Sequence, residues 1–180
     1  MFKKVCIIGC GLIGSSIARA IKKNGLSSKI VSSNRSDSVN KKVIELKIVD
    51  DSSSDTKKMA DGSDLIIIAT PLSSYESVIL KIKDSLKNGT ILTDVGSVKE
   101  NVISLVEKVV PENVSWISSH PIAGTEESGP DAGFSELFQN RWCILTPSKK
   151  AKEKDVKLLE TFWKKIGSKV DIMDAKQHDY

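Results

Sequence analysis

The sequence predicts an α/β fold: a doubly wound, mainly parallel sheet with helices on both faces. Three observations predict it. Short apolar runs alternate with segments of helical spacing over short connections, as parallel strands with crossover helices require. The run Leu65-Ile66-Ile67-Ile68 is apolar without interruption, as in a strand buried on both faces. A glycine-rich turn, Gly9-Cys10-Gly11-Leu12-Ile13-Gly14, stands between the first strand and the first helix.

The elements follow in order. Residues 4–8 make the first strand. Residues 11–23 have helical spacing, with Ile13, Ile17, Ala20 and Ile21 on one face, and Asn24-Gly25 stops them. Residues 29–33 make a second strand and 37–46 a helix, while the Ser-rich stretch 50–55 reads as a short linker. The buried strand spans 64–69 and ends at Thr70-Pro71. Ser73-Ser74-Tyr75-Glu76 has the form of a capping box opening a helix to about residue 86. Residues 90–93 follow the Asn88-Gly89 turn as a strand, and Ser97-Val98-Lys99-Glu100 is a second capping box, opening a helix to about residue 109. Next come a strand at 114–118, a loop region at 120–140 with a short helix near Ser135, and a strand at 142–145. An amphipathic helix at 152–166 and a last strand at 169–173 complete the pattern. Right-handed crossovers between such units give the doubly wound arrangement.

A chain of 180 residues suits one domain and buries a core without disulfides or metals. Charged residues, 28%, are interspersed among 39% hydrophobic ones, which excludes wholesale disorder. Only 5% are aromatic, a poor stacking platform for single strands, and a net charge of +4 does not indicate a nucleic-acid partner. Three cysteines without a CxxC, and two histidines, argue against a disulfide scaffold and a zinc site, so no metal is expected and the setting reads as reducing and cytoplasmic. Lys3-Lys4 before an apolar run looks like the start of a signal peptide, but the run before Cys10 is too short for one. No run has the length of a transmembrane helix, so no membrane partner is expected. Charge is uneven: residues 1–50 carry ten Lys/Arg against three Asp/Glu, residues 51–148 eight against fourteen. A basic first third suits an anionic ligand, or it is merely solvated lysine on helix faces.

The glycine turn sits where a Rossmann-type dinucleotide fingerprint belongs, after a strand and opening a helix. Gly9 permits the tight turn, Gly11 lets a pyrophosphate approach the backbone, and Gly14 allows close helix packing. The N–H groups that follow, at Leu12 and Ile13, belong to a helix start that attracts phosphate. NAD sites usually place an acid at the tip of the second strand; here that tip reads Asn34-Arg35-Ser36. Arg35 offers a guanidinium and Ser36 a hydroxyl to a 2′-phosphate, so NADP is expected in preference to NAD. Arg35 stacked on an adenine would serve either cofactor.

His120 opens His120-Pro121-Ile122-Ala123-Gly124-Thr125-Glu126 after a strand, on the side where ligands of such sheets bind. Asp94-Val95-Gly96-Ser97-Val98-Lys99 leaves the neighbouring strand at the same edge. Ser97 could therefore hydrogen-bond the His120 imidazole and fix its tautomer while also capping a helix. Spacing alone leaves a structural and a catalytic His120 equally open.

These three segments together resemble the prephenate/arogenate (cyclohexadienyl) dehydrogenase family, and the resemblance spans the chain down to Gln177-His178-Asp179. It implies oxidative decarboxylation of a cyclohexadienyl substrate, prephenate or arogenate. His120 would take the proton of the ring C4 hydroxyl, C4 would pass hydride to the nicotinamide, and loss of CO2 from C1 would aromatise the ring. Ser97 would orient His120, so His120 and Ser97 are the catalytic candidates. Gly124, Thr125 and Glu126 would stand with them on the substrate side; Glu126 would shape the substrate mouth, pair across a dimer, or be simply solvated. The cofactor candidates are Gly9, Gly11, Leu12, Ile13, Gly14, Asn34, Arg35, Ser36, Thr70 and Pro71, the last two at a strand end where the family touches ribose and pyrophosphate. Lys99 matches the family's pattern without an assigned role, and His178 matches a His-Asp pair at the domain junction, read as structural.

Family members continue into a helical domain that forms their homodimer and carries an arginine for a substrate carboxylate. That domain is absent from this chain, where Arg141 is the only arginine after Arg35. Residues 1–175 then read as the NAD(P)-binding Rossmann domain and 176–180 as the start of the linker to the helical part. By itself such a chain is expected to be monomeric and to bind cofactor with little turnover; the sequence given being part of a longer protein is equally open. No regulatory domain for tyrosine feedback is visible. Two rivals stand beside this reading. One is another NADP-dependent hydroxyacid-type dehydrogenase, against which the His120-Pro121 segment speaks; the other is a non-catalytic dinucleotide-binding module on the same fold.

Overall fold

In the computed structural model, which describes residues 1–180, the chain opens with β1 (Phe2–Ile8), α1 (Leu12–Lys23), β2 (Ser27–Ser33), α2 (Asp37–Glu45), β3 (Asp51–Ser52) and α3 (Thr56–Ala60). It continues with β4 (Leu65–Ile68), α4 (Tyr75–Ile82), β5 (Ile91–Asp94), α5 (Glu100–Glu107) and β6 (Ser115–Pro121). β7 (Trp142–Pro147), α6 (Glu153–Lys165), β8 (Lys169–Ile172) and α7 (Ala175–Asp179) complete it. All eight strands form one sheet in the order β3-β2-β1-β4-β5-β6-β7-β8. β1 to β6 run parallel; β7 pairs antiparallel with β6, and β8 is parallel to β7.

The doubly wound layering follows from strand alternation. Leu65 and Ile67 of β4 join one apolar layer with Ile17, Ala20 and Ile21 of α1 and Leu159, Phe162 and Trp163 of α6. Ile66 and Ile68 join the other, with Ile79 and Ile82 of α4 and Val102 and Val106 of α5. Successive strand side chains point to opposite faces, so a strand covered on both faces must be apolar at every position. All four residues of β4 are fully buried. No helix is long and apolar enough to cross a membrane, and the three cysteines are free and buried.

Three departures from the sequence reading matter for the site. First, the Ser-rich stretch is not a linker: Asp51 and Ser52 form β3 beside β2, and Asp55 caps α3 by accepting from Lys58 N–H at 3.1 Å. Second, His120 and Pro121 do not stand on a loop beyond the strand. β6 pairs with β5 only at Ser115 and Trp116, then with β7 from Ile117 to Pro121, so the antiparallel neighbour extends the strand past residue 118, where the sequence places its end. Pro121 is tolerated because it lies at the strand terminus.

Third, neither capping box forms. Ser74 sits in a 3-10 turn before α4, and its Oγ pairs with Thr70 Oγ1 at 2.6 Å and donates to the Pro71 carbonyl at 2.7 Å. α5 starts only at Glu100, without a cap from Ser97. Further along, the loop after β6 carries a 3-10 turn at Pro130–Ala132 rather than a helix near Ser135. Arg19 of α1 pins that turn, donating to the Pro130 carbonyl at 2.8 Å, and Phe134 N–H donates to Ser16 Oγ at 3.1 Å.

Candidate active site

The glycine turn forms as its spacing requires. Gly9 has φ +95°, and a Cβ there would lie 2.9 Å from both the Ala69 carbonyl oxygen and Thr70 Cγ2. A Cβ on Gly14 would collide with the Gly9 carbonyl oxygen. A Cβ on Gly11 would meet nothing, so that glycine keeps the space in front of the turn open. α1 begins behind it with no side-chain cap, leaving the first N–H groups, those of Leu12 and Ile13 among them, for an anion. The side chains of Leu12 and Ile13 pack on the core.

A cleft of about 580 Å³ opens over the turn, lined by 21 residues that include Gly9, Gly11, Asn34, Arg35, Ser36, Thr70 and Pro71. Its charged lining is Arg35 and Lys81, and it has no carboxylate. Lys81 escapes the sequence reading, although Ser74, Ser77, Val78 and Lys81 recur at helical spacing, Ser74 just before α4 and the other three presenting one face of it to the cleft. Gly129 and Pro130, held by Arg19, reach the cleft from the far end of the chain.

Asn34 lines the cleft but has its amide turned to the protein. Its Oδ1 accepts from Cys10 N–H at 2.6 Å and its Nδ2 donates to Asn40 Oδ1 at 2.9 Å. Asn40 donates back to the Asn34 carbonyl at 3.0 Å and accepts from Ser52 Oγ at 2.6 Å. The tip of β2 thus braces the glycine turn, and β3 contributes Ser52 to the same network. Ser36 caps α2, accepting from Val39 N–H at 3.4 Å, and Arg35 is exposed at the rim.

A second pocket, of about 610 Å³, lies at the other end of the sheet edge and holds His120, Ser97, His178 and Asp179 with Ile122, Ile144 and Met173. Ser97 shares this pocket, but the imidazole takes its bond elsewhere: His120 Nδ1 lies 2.8 Å from His178 Nε2. His178 Nδ1 lies 2.7 Å from Asp179 Oδ1. Asp179 in turn accepts from Lys99 N–H at 3.0 Å and Glu100 N–H at 2.7 Å, and so takes the capping role expected of Ser97. Gly124, Thr125 and Glu126 are exposed on the loop beyond Ile122 and do not line the pocket; Thr125 Oγ1 turns that loop by accepting from Glu127 N–H at 3.1 Å.

Behind His120 lies a buried ion pair. Lys99 and Asp94 are both fully enclosed, with Lys99 Nζ 3.0 Å from Asp94 Oδ2. Asp94 also accepts from Tyr75 OH at 3.0 Å, Gly96 N–H at 3.0 Å, Ser119 N–H at 3.2 Å and Ser118 Oγ. Burial lowers the Lys99 pKa, with Asp94 opposing, and burial beside Asp94 raises that of Tyr75. Burial, the Lys99 charge and His178 together push His120 down from 6.5 to about 4, against Asp94 and Asp179. The imidazole is therefore neutral at pH 7 and able to accept a proton.

A parallel sheet whose first strand turns through Gly9 to Gly14 into an uncapped helix defines a dinucleotide-binding domain, here with a neutral histidine at the same sheet edge. Within that class the chain belongs to the prephenate dehydrogenase family: residues 17–172 match the family described as prephenate dehydrogenase, nucleotide-binding domain. A cyclohexadienyl dehydrogenase of Zymomonas mobilis is 35% identical over 180 residues, all of this chain and 61% of that protein. A prephenate dehydrogenase of Bacillus subtilis is 31% identical over 176 residues, 97% of this chain and 47% of that protein. Among solved structures, prephenate dehydrogenase from Aquifex aeolicus in complex with hydroxyphenyl propionate and NAD+ superposes with a TM-score of 0.92 at 28% identity, over 100% of this chain and 63% of that one. The chain thus spans less than two thirds of the length of these relatives.

Proposed function

We propose that this chain is the cofactor-binding part of an NAD(P)-dependent dehydrogenase that oxidatively decarboxylates prephenate or arogenate, with His120 as acceptor of the ring hydroxyl proton. The observation that carries this reading is a neutral, half-buried His120 in its own pocket, at the sheet edge of a chain from this family. The A. aeolicus relative held NAD+ and an aromatic acid together, which agrees with a cofactor cleft and a separate substrate pocket.

The residues present fit a dinucleotide. The turn from Gly9 to Gly14, with the Leu12 and Ile13 N–H groups, would hold the pyrophosphate, and Thr70 and Pro71 would border the ribose. Bound nicotinamide supplies the hydride acceptor. His120 does the proton work, taking the C4 hydroxyl proton on the ring nitrogen not bonded to His178. Ser97 would hydrogen-bond the same hydroxyl, and Gly124, Thr125 and Glu126 would border the substrate from the loop. The assay that tests this measures reduced cofactor formed from prephenate and from arogenate, with NAD and NADP, on this chain and on any longer form of the protein. A longer form that yields none with either substrate refutes it.

NADP is the proposed preference. The cleft has no carboxylate to repel a 2′-phosphate, Asn34 is committed to Cys10 and Asn40, and Arg35 with Ser36 stands at the rim. Arg35→Ala is expected to weaken NADP binding by roughly tenfold or more, the loss of one charge-assisted hydrogen bond. NAD binding should change little, because it lacks the group Arg35 would hold. Titration calorimetry of both cofactors checks this; tighter NAD than NADP binding to the unaltered chain removes the preference.

The pH dependence follows from the sign of the His120 shift. A depressed imidazole stays neutral until pH falls to about 4. The acid limb of kcat/KM should therefore lie near 4 rather than near 6.5, with activity present above it and lost below. A dicarboxylate substrate favours the imidazolium, so the limb in kcat should lie higher. A kcat/KM limb at the ordinary histidine value would show that the burial of His120 is relieved in solution.

A further inference from the structure

The resemblance implies a structural pair at the domain junction for His178 and Asp179, yet they form a chain of contacts ending on the proposed base. The chemistry of each partner fixes the direction of these bonds. Asp179 lies among donors: burial pushes its carboxyl up, but the Glu100 N–H, the His178 ring and the Lys99 N–H outweigh it and hold it below the usual range. An ionised carboxylate only accepts, so His178 must carry hydrogen on Nδ1, 2.7 Å away. In the neutral ring Nε2 then has a lone pair and no hydrogen. His120 Nδ1, 2.8 Å from that lone pair, must be the donor. His120 is left with hydrogen on Nδ1 and a bare Nε2, the form a base requires.

We propose that His178, anchored on Asp179, is a positioning residue that holds His120 in the Nδ1–H tautomer and keeps its Nε2 open to accept the substrate proton. This rests on the assignment of His120 as the base. The anchor is itself rigid. Asp174 and Gln177 cap the start of α7 reciprocally, with Gln177 N–H donating to Asp174 Oδ1 at 2.8 Å. Asp179 ties the other end to the first N–H groups of α5, and His178 has only 7% of its side chain exposed. The arrangement also tolerates the reaction: a His120 imidazolium still donates from Nδ1, and its charge faces the carboxylate through the His178 ring. The charged and titratable groups around His120 are His178 and Asp179 of α7, Asp94 of β5, Lys99 before α5 and Cys143 of β7.

The chain has two histidines, so nitrogen-15 NMR of its imidazoles can be assigned without ambiguity. At pH 7 long-range proton–nitrogen correlations should show both rings as Nδ1–H tautomers. In His178→Phe, which removes the acceptor, His120 should shift toward the Nε2–H form. In His178→Gln, whose side-chain carbonyl can accept from His120, the Nδ1–H form should be restored. Asp179→Asn should let His178 turn its hydrogen to Nε2 and drive His120 to Nε2–H, a reversal that packing alone would not cause. An unaltered chain with His120 in the Nε2–H form overturns the proposal even if no variant folds, as does a His178→Phe variant whose His120 stays Nδ1–H. These spectra need neither substrate nor turnover. Failure of the dehydrogenase assignment would appear in the activity assay alone, and failure of the positioning role in the tautomers alone.

Discussion

His120→Asn is expected to lower kcat/KM by about 10²–10⁴-fold, the usual contribution of a general base, or about 3–5 kcal/mol of transition-state stabilisation. Asparagine suits the test because its amide N–H can still donate to His178 Nε2, so the anchor survives while the proton acceptor is lost. Cofactor affinity should stay within about twofold, since the residues lining the cleft over the glycine turn and those lining the His120 pocket do not overlap. Steady-state rates with prephenate and arogenate, on a form of the protein that turns over, together with NADP titration of the same variant, separate the possibilities. Unchanged turnover removes His120 from the chemistry. An equal loss in cofactor affinity would mean that it acts in binding.

Lys99→Met is expected to destabilise the fold by about 3–5 kcal/mol, the usual cost of leaving one buried charge without its partner. Both groups have no exposed side-chain surface, so solvent cannot take over from the missing ammonium. Asp94 would keep its hydrogen bonds from Tyr75, Gly96, Ser118 and Ser119, which explains why a fold is still expected. Adding Asp94→Asn to Lys99→Met should recover part of the loss, because the amide removes the unpaired charge and its Oδ1 still accepts on one side, while its Nδ2 turns a donor toward either Gly96 N–H or Ser119 N–H. Urea unfolding of the two single variants and the double variant measures the coupling. A loss under about 1 kcal/mol in Lys99→Met would show that the pair contributes no more than a surface one. Lys99→Met should also let His120 titrate at higher pH, because the Lys99 charge helps to hold it down.

The segments legible in the sequence are those whose signals are local. Leu65 to Ile68 read as a doubly covered strand because every side chain was apolar, and residues 152–166 read as a helix from their spacing. The glycine turn was legible for a steric reason: Gly9 takes a positive φ, and no Cβ fits at Gly14. β3 was not legible, because two polar residues at a sheet edge carry no periodicity, and Ser52 is placed by its bonds to Asn40 and Ser32. The capping boxes misled because sequence shows which side chains could cap a helix but not which distant group arrives first. At α5 that group is Asp179, 80 residues from Lys99.

By itself the sequence determined the fold class and the glycine turn, and it singled out His120 as a candidate, since each depends on backbone sterics, periodicity or a short motif. Only the tertiary structure decided what His120 touches. Its partner His178 is 58 residues away, and the Lys99 charge that helps to hold it neutral, against Asp94, acts strongly because packing has removed water from around the pair. Desolvation and contact between distant segments are properties of the folded enclosure. No window of sequence contains them.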